Sequence, residues 1–205
     1  MTSTPKTPTI YVVDDDLSVR ESLSSLLRSV GMAVLTYESP LAFLALSQCE
    51  PFSCLLLDMR MPELTGMELH QALLEKGWDI PVIFITGHGD VPMAVKAMRG
   101  GAIDFLNKPF SDTDLLAAVD YALAKQNQSR DAKDEVETLR KRFESLTPRE
   151  RQILEAVASG KANKVIAFDL DVTESTVKVH RHNAMLKMHV RSVAELSRMM
   201  QRIGK

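Results

Sequence analysis

Five short apolar runs alternate with segments of helical spacing over residues 1–110, and this alternation constrains the fold more than any other feature of the sequence. Short apolar strands joined through helices form a parallel sheet covered on both faces. After the first run, Val19, Leu23 and Leu27 recur at helical spacing, and Gly31 supplies a stop. We therefore predict one doubly wound α/β domain with a five-stranded parallel sheet. The predicted strands occupy residues 10–13, 33–37, 54–57, 82–86 and 103–106.

A long helical segment follows the predicted sheet. No proline occurs between Pro109 and Pro148, so none of these residues forces a helix to end. Residues 112–143 are therefore predicted to be mostly helical. Because residues 126–131 are polar on every face of such a helix, a frayed linker is the alternative.

Apolar residues at the end of this segment follow a 3-4-3 spacing. Val136, Leu139, Phe143 and Leu146 could form a coiled-coil seam, or a stripe that packs on the C-terminal domain. From residue 147 onward the pattern is entirely helical. The predicted organisation is an α/β domain over residues 1–124, a helical linker over residues 125–143 and an all-α domain over residues 144–205.

The two predicted domains differ in charge, although the whole chain carries a formal net charge of −2. Residues 1–125 carry a net charge of −7, and residues 144–205 carry a net charge of +4. An acidic first domain suits a cation or phosphoryl site, and a basic last domain suits a polyanionic partner.

Cys49 and Cys54 are the two cysteines of the chain. They are too few for a disulfide scaffold or a cysteine metal cluster, so we expect reduced thiols. The first residues lack the apolar core of a signal peptide, and no run of about 18 apolar residues occurs in the sequence. We therefore expect a cytoplasmic protein without a membrane partner.

Polar residues stand where the predicted strands end. Asp14 and Asp15 follow the first strand, Asp58 follows the third, Thr86 ends the fourth and Lys108 follows the fifth. Because the carboxyl ends of parallel strands meet at one edge of a sheet, these groups are expected to lie together. Carboxylates can bind Mg2+, while an ammonium and a hydroxyl can hold phosphoryl oxygens. The pattern predicts phosphoryl transfer to an aspartate nucleophile.

These residues, in this order, resemble the receiver domains of two-component response regulators over about residues 8–124. The resemblance implies a flavodoxin-like fold in which Asp58 is the phospho-acceptor. It also implies that Asp14 and Asp15 hold Mg2+ together with Asp58 and the backbone carbonyl of Arg60.

The same resemblance assigns roles to residues near the last strand. It implies that Thr86 and Lys108 sense the phosphoryl group and that the Lys108–Pro109 peptide is cis. Phe105 matches the aromatic switch position, although simple core packing is the alternative for this residue. Residues 85–95 are similar to the FixJ subfamily of response regulators in particular.

The last domain contains a pair of short helices typical of a helix-turn-helix. Thr147 and Pro148 open its first helix as an N-cap and a first-turn proline. Two more helices are predicted at residues 163–170 and 174–188, separated by a tight turn. The last of these is expected to lie in the DNA major groove because it is rich in basic and titratable residues. These residues are Lys178, His180, Arg181, His182 and Lys187.

Residues 146–150, 163–164, 166–167 and 176–181 resemble the LuxR-type output domain, over about residues 144–203. The resemblance implies that three residues face the groove and that three others contact DNA phosphates. The groove-facing set is Lys178, Val179 and His182, and the phosphate set is Lys164, Thr176 and Arg181. Asp171 and His189 stand where many relatives have glycine at helix ends, so we expect a small stability cost and an intact fold.

The two resemblances together imply a FixJ-type response regulator, similar to the styrene- and toluene-catabolism regulators of that subfamily. A sensor histidine kinase is expected to phosphorylate Asp58. The resemblance further implies that a homodimer then forms through the face of the fourth helix, fifth strand and fifth helix, and that this dimer binds promoter DNA. RNA polymerase is a further expected partner. No turnover chemistry is expected beyond slow self-dephosphorylation.

Two other functions compete with this interpretation. A phosphatase of the haloacid-dehalogenase type also uses an aspartate nucleophile with Mg2+, but it needs a second acid two residues later, where this chain has Arg60. Alternatively, the C-terminal helices could be a structural cap in a regulator whose output is protein binding. Charge alone leaves that alternative open.

Overall fold

The structure is a computed structural model that describes residues 7–87 and 91–204. Strands and helices alternate up to α5, and the described elements beyond it are helices. Residues 88–90, in the segment that resembles the FixJ subfamily, lie outside the described residues. In chain order the elements are β1 (Thr9–Val13), α1 (Leu17–Ser29), β2 (Ala33–Tyr37), α2 (Pro40–Leu44), β3 (Ser53–Asp58), α3 (Gly66–Glu75), β4 (Val82–Thr86), α4 (Val91–Arg99), β5 (Asp104–Asn107), α5 (Asp112–Glu144), α6 (Pro148–Ala158), α7 (Asn163–Asp169), α8 (Glu174–Met188) and α9 (Val193–Arg202).

The five strands form one parallel sheet in the order β2-β1-β3-β4-β5. Its register pairs Val13 with Leu57 and Asp58 with Ile85. The carboxyl ends of β1, β3 and β4 therefore lie side by side. The predicted five-stranded, doubly wound α/β fold is confirmed.

Alternate residues of the central strand β3 enter two different cores, because successive side chains of a strand point to opposite faces. Cys54 and Leu56 pack with α1 and α5 on one face. Leu55 and Leu57 pack with α2, α3 and α4 on the other face. Every residue of β3 is buried, so the strand holds its last residue, Asp58, in a fixed position.

Helix α5 is continuous over 33 residues, which confirms the predicted helix. Leu115 and Val119 are buried in the core beside the sheet. Leu139 and Phe143 are buried in the core of the C-terminal helices, so the apolar stripe packs on that domain. The chain divides into two compact units between Ser129 and Arg130, and a boundary at residue 144 would separate two core residues from their unit.

Helices α6 to α9 surround the core of the second unit, which includes Ile153, Val177 and Leu196. The first of these helices begins with a capping box. Thr147 Oγ1 accepts from the Glu150 N–H, and the Glu150 carboxylate accepts from the Thr147 N–H. Helices α7 and α8 follow as the predicted helix-turn-helix pair.

Two residues at the ends of helices in the second unit adopt the left-handed backbone conformation that favours glycine. The φ angle of Asp171 is +52° and that of His189 is +57°. Asp171 follows α7, and His189 caps α8 by donating its N–H to the last turn. The helices end as predicted without glycine at these positions.

Candidate functional site

Three charged side chains meet at the carboxyl edge of the sheet. The Lys108 ammonium donates to Asp14 Oδ2 at 2.8 Å and to Asp58 Oδ1 at 2.9 Å. Asp14 is 2% exposed and Asp58 is 8% exposed. The structure therefore brings together three residues that sequence analysis placed at the ends of different strands.

The three consecutive aspartates after β1 have different surroundings. Asp14 Oδ1 accepts from the Asp16 N–H at 2.9 Å, and the Asp14 carbonyl accepts from Arg20 Nη1 at 2.7 Å. Asp16 caps α1 by accepting from the Ser18 N–H at 2.8 Å. Asp15 is exposed. Asp14 is thus held in the cluster, while Asp15 lies at its edge.

Asp58 is fixed by its own loop and by a close approach of α3. Its Oδ2 accepts from the Arg60 N–H at 2.7 Å. Gly66, the first residue of α3, packs so closely that a Cβ there would lie 2.2 Å from the Asp58 carbonyl oxygen. A side chain at position 66 is therefore incompatible with this backbone arrangement.

The remaining predicted site residues lie on β4, β5 and the loop after β5. Thr86 is 3% exposed, and its carbonyl accepts from the Lys108 N–H at 2.7 Å. The Lys108–Pro109 peptide is cis, as the resemblance implied. Phe105 is half-buried, lies opposite Phe84 in the sheet and packs against the core beneath α3 and α4.

One ammonium faces two carboxylates in this cluster. Burial opposes the charge of Lys108, but hydrogen bonds to Asp14 and Asp58 outweigh it and hold the pKa of Lys108 above its ordinary value. Burial raises the pKa of Asp14, although the Lys108 hydrogen bond acts in the opposite direction. The cluster thus contains fixed negative charge that Lys108 alone only partly neutralises.

The donor set at this edge fits a magnesium ion. Within residues 7–87 and 91–204, no three or more His, Cys, Asp and Glu side chains are grouped to hold a metal. Mg2+ does not require such a group, since it keeps several waters and takes one or two carboxylates. Asp14 and Asp58 supply converging carboxylates, Asp15 is adjacent, and their excess negative charge favours a cation.

The second unit presents a different kind of surface on α7 and α8. Lys164, Lys178, Val179 and His182 are exposed, and 59% of the Val179 surface is accessible. Such exposure of an apolar residue on a helix-turn-helix suits contact with base edges. Thr176 is half-buried and contacts the Thr173 hydroxyl at 2.8 Å.

Some basic residues of α8 make contacts within the unit. Arg181 is half-buried, and its Nη1 donates to Asn163 Oδ1 at 3.0 Å. The Lys187 ammonium donates to Glu150 Oε2 at 2.7 Å. Sequence analysis did not identify either contact, because 18 and 37 residues separate the partners and leave no local pattern. It also missed Gly66, whose one signal is its place after Thr65 in a capping box with Glu68.

Comparison with known proteins defines the class of both units. Residues 10–120 match the response regulator receiver domain, and residues 144–200 match the luxR family of bacterial regulatory proteins. The chain therefore belongs to the two-component response regulators, with a receiver domain followed by a LuxR-type DNA-binding domain. This family generally depends on Mg2+ and receives its signal from a sensor kinase.

Individual relatives refine the family. The chain is 49% identical to response regulator protein TmoT of Ectopseudomonas mendocina, over 95% of this chain and 88% of TmoT. It is 46% identical to transcriptional regulatory protein FixJ of Azorhizobium caulinodans, over 95% and 92% of the two chains. The solved structure of response regulator StyR matches with a TM-score of 0.83 and 46% identity, covering 96% of this chain and 100% of StyR. The predicted FixJ-subfamily membership, with similarity to the catabolic regulators, is confirmed.

Among the described residues, no helix combines the length and apolar content that crossing a lipid bilayer requires.

Proposed function

We propose that this chain accepts a phosphoryl group on Asp58 from a phosphohistidine of a sensor histidine kinase, and that the modification drives dimerisation on promoter DNA in the cytoplasm. An Asp58 carboxylate oxygen bonds to phosphorus as the bond from phosphorus to histidine nitrogen breaks. The observation that carries the proposal is the Lys108 ammonium, which contacts both Asp58 and Asp14 at the sheet edge. The chain acts as an acceptor and not as a turnover enzyme.

Mg2+ binding belongs to the same proposal. Asp14, Asp15, Asp58 and the Arg60 carbonyl would hold the ion, which when bound neutralises negative charge on the phosphoryl group. Lys108 would then hold a phosphoryl oxygen through the ammonium that now joins Asp58 to Asp14. The buried Thr86 hydroxyl, at the end of the neighbouring strand, would approach another phosphoryl oxygen.

Signal transmission would run from Thr86 to the surface of the receiver. Phe105 is half-buried, which is consistent with a side chain that moves inward when Thr86 moves. The face of α4, β5 and α5 exposes apolar side chains that suit a dimer contact: Val95 is 45% exposed, Met98 46% and Tyr121 53%. A dimer through this face would pair two recognition helices on a two-fold DNA site.

For DNA, we propose that α8 enters the major groove with Lys178, Val179 and His182 toward base edges. Lys164, Thr176 and Arg181 would contact phosphates beside the groove. The exposure of the groove-facing residues supports this assignment. Contact with RNA polymerase from the bound dimer would follow.

Phosphoryl transfer is tested by labelling with acetyl phosphate and Mg2+, followed by peptide mass mapping. We expect one phosphoryl group, on Asp58, and none in Asp58→Asn. Asp16→Asn is the matched control, because Asp16 is an exposed helix cap two residues from Asp14. Labelling of another residue in the wild-type protein would contradict the assignment.

Transmission is tested by sedimentation with beryllofluoride, a phosphoryl mimic. Thr86→Ala should accept phosphate, since the hydroxyl makes and breaks no bond, but should lose much of the monomer-to-dimer shift. Thr36→Ala, on the edge strand β2, is the control that should dimerise fully. A full shift in Thr86→Ala would show that the signal does not pass through this hydroxyl.

A further inference from the structure

The last turn of the recognition helix α8 is joined to α6 by an ion pair between a buried carboxylate and a lysine side chain that is 41% exposed. Lys187 Nζ lies 2.7 Å from Glu150 Oε2, and the Glu150 side chain is 5% exposed. Lys187 is one of the basic residues that the sequence places on this helix, and a basic residue on a recognition helix is ordinarily a candidate for DNA contact. Its position in the structure points to another role.

One carboxylate oxygen of Glu150 accepts two hydrogen bonds. Its Oε2 accepts from the Thr147 N–H at 2.9 Å and from Lys187. The hydrogen bond from Lys187, followed by that from Thr147, holds the pKa of Glu150 below its ordinary value. Because the Glu150 carboxylate is buried, removal of Lys187 leaves it without its cationic partner, which is unfavourable even though the Lys187 side chain is itself 41% exposed.

The position of Lys187 around the α8 axis indicates how its contact with Glu150 affects the orientation of the helix. The buried stripe of α8 contains Val177, Ala184 and Met188. At about 100° per residue, Arg181 and Lys187 fall on opposite flanks of that stripe. Arg181 contacts Asn163 of α7, while Lys187 contacts Glu150 of α6. The polar contacts on the two flanks oppose rotation of α8 about its own axis. Apolar packing alone restrains this rotation less, because it is not directional.

We propose that Lys187 is a positioning residue for DNA recognition: by pairing with Glu150, it fixes the rotation of α8 so that Lys178, Val179 and His182 face outward together. This inference rests on the proposed DNA contacts of α8. Loss of the pair lets the helix rotate, which misaligns base contacts without removing a phosphate contact. Discrimination between DNA sequences falls, and the salt dependence of binding does not change.

The experiment uses the full chain activated with beryllofluoride. Binding is measured by fluorescence anisotropy, at several salt concentrations, to a duplex selected by the wild-type protein from a random pool and to a shuffled duplex. Lys187→Met should lose about tenfold in affinity for the selected duplex and much less for the shuffled one, with an unchanged salt slope. Lys187→Arg, which keeps the charge, should recover most of the loss.

Two matched variants separate the possible outcomes. Lys161→Met removes a lysine that pairs with Asp169 at 2.7 Å in an exposed position, and should bind as the wild type does. Lys178→Met removes a proposed base contact and should lose affinity for the selected duplex. If the wild-type protein does not discriminate between the duplexes, or if Lys178→Met binds normally, the proposed DNA recognition by α8 is wrong. The positioning role of Lys187 is then wrong as well, because it depends on that recognition.

Several results would overturn the positioning role of Lys187. A salt slope reduced by about 1 in Lys187→Met would make it a phosphate contact. Equal loss on both duplexes would indicate a purely structural effect, and no loss on the selected duplex would show that the pair is dispensable. If Lys187→Met does not fold, Glu150→Gln replaces it: the amide oxygen still caps Thr147 but holds Lys187 less strongly, so discrimination should again fall, and unaltered discrimination would overturn the proposal.

Discussion

The acidic edge of the receiver and the outward face of α8 are built in opposite ways. At the acidic edge, Asp14, Asp58 and Lys108 contact one another, and both carboxylates are buried. On α8, Lys178 and His182 are exposed, and the helix is held by residues on its other sides. The receiver site therefore depends on the exact packing around it, whereas exposed residues on the outward face of α8 can be changed one by one without loss of the fold.

The largest effect on stability is expected in the hydrophobic core of the second unit. Phe143→Ala removes a side chain that is 5% exposed and should destabilise the second unit by about 3–5 kcal/mol. Hydrogen exchange of peptides from α6 to α9 measures this loss. Gln128→Ala, in the exposed middle of α5, is the control and should leave exchange unchanged. Normal protection in Phe143→Ala would show that α5 is not part of this core.

A somewhat smaller loss of stability is expected from a single methyl group beside Asp58. Gly66→Ala places a Cβ 2.2 Å from the Asp58 carbonyl and should destabilise the receiver by about 3 kcal/mol. Urea unfolding followed by fluorescence of Trp78, the single tryptophan, reports on this unit. Among the described residues, no atom lies within 4 Å of a Cβ added at Gly87, so Gly87→Ala should unfold like the wild type. Equal stability of both variants would contradict the close packing at Asp58.

An exposed residue of α8 should behave in the opposite manner. Lys178→Met should leave the unfolding of both units unchanged and weaken binding to a selected duplex by about 1–3 kcal/mol. Parallel measurements of urea unfolding and DNA affinity test the two halves of this prediction. A large loss of stability would show that the α8 surface is coupled to the fold as tightly as the acidic edge is.

The smallest effect concerns pH. His70 of α3 is buried against Phe84, at 5.6 Å between ring centroids, and burial lowers its pKa below the ordinary 6.5. The unfolded state therefore binds a proton at higher pH than the folded state does. Receiver stability should fall as the pH drops below 6.5, toward the lower folded pKa. His70→Phe keeps an aromatic contact and should reduce this slope in Trp78-monitored unfolding, and an unchanged slope would assign it to other groups.

The sequence was sufficient to predict the sheet and the acidic cluster, because strand ends in a parallel sheet converge at one edge. Asp14, Asp58 and Lys108 are far apart in the chain, yet each follows an apolar run that identifies its strand. The order of these runs also carried the family resemblance. The start of α6 was predictable from local sequence, since Thr147 and Pro148 form an N-cap and a first-turn proline.

Contacts between helices were not predictable in the same way. The pairing of Lys187 with Glu150 depends on how α6 and α8 cross, and spacing along one helix contains no information on that crossing. Gly66 has no positive φ and no distinctive spacing in the sequence. The reason that position 66 requires glycine is the nearby Asp58 carbonyl, which only the structure shows. The apolar stripe at Leu139 and Phe143 fitted two interpretations until its packing partners were known.

The shared helix α5 has a consequence for building chimeric regulators. Its first turns belong to the receiver core, its last turns belong to the core of the second unit, and residues 127–135 between them are exposed. A crossover at the family boundary near residue 144 would leave Leu139 and Phe143 with a foreign partner. A crossover within residues 127–135 would keep all residues of each hydrophobic core in one parent. The DNA-binding module that can be exchanged as a unit therefore begins within α5 and not at the end of this helix.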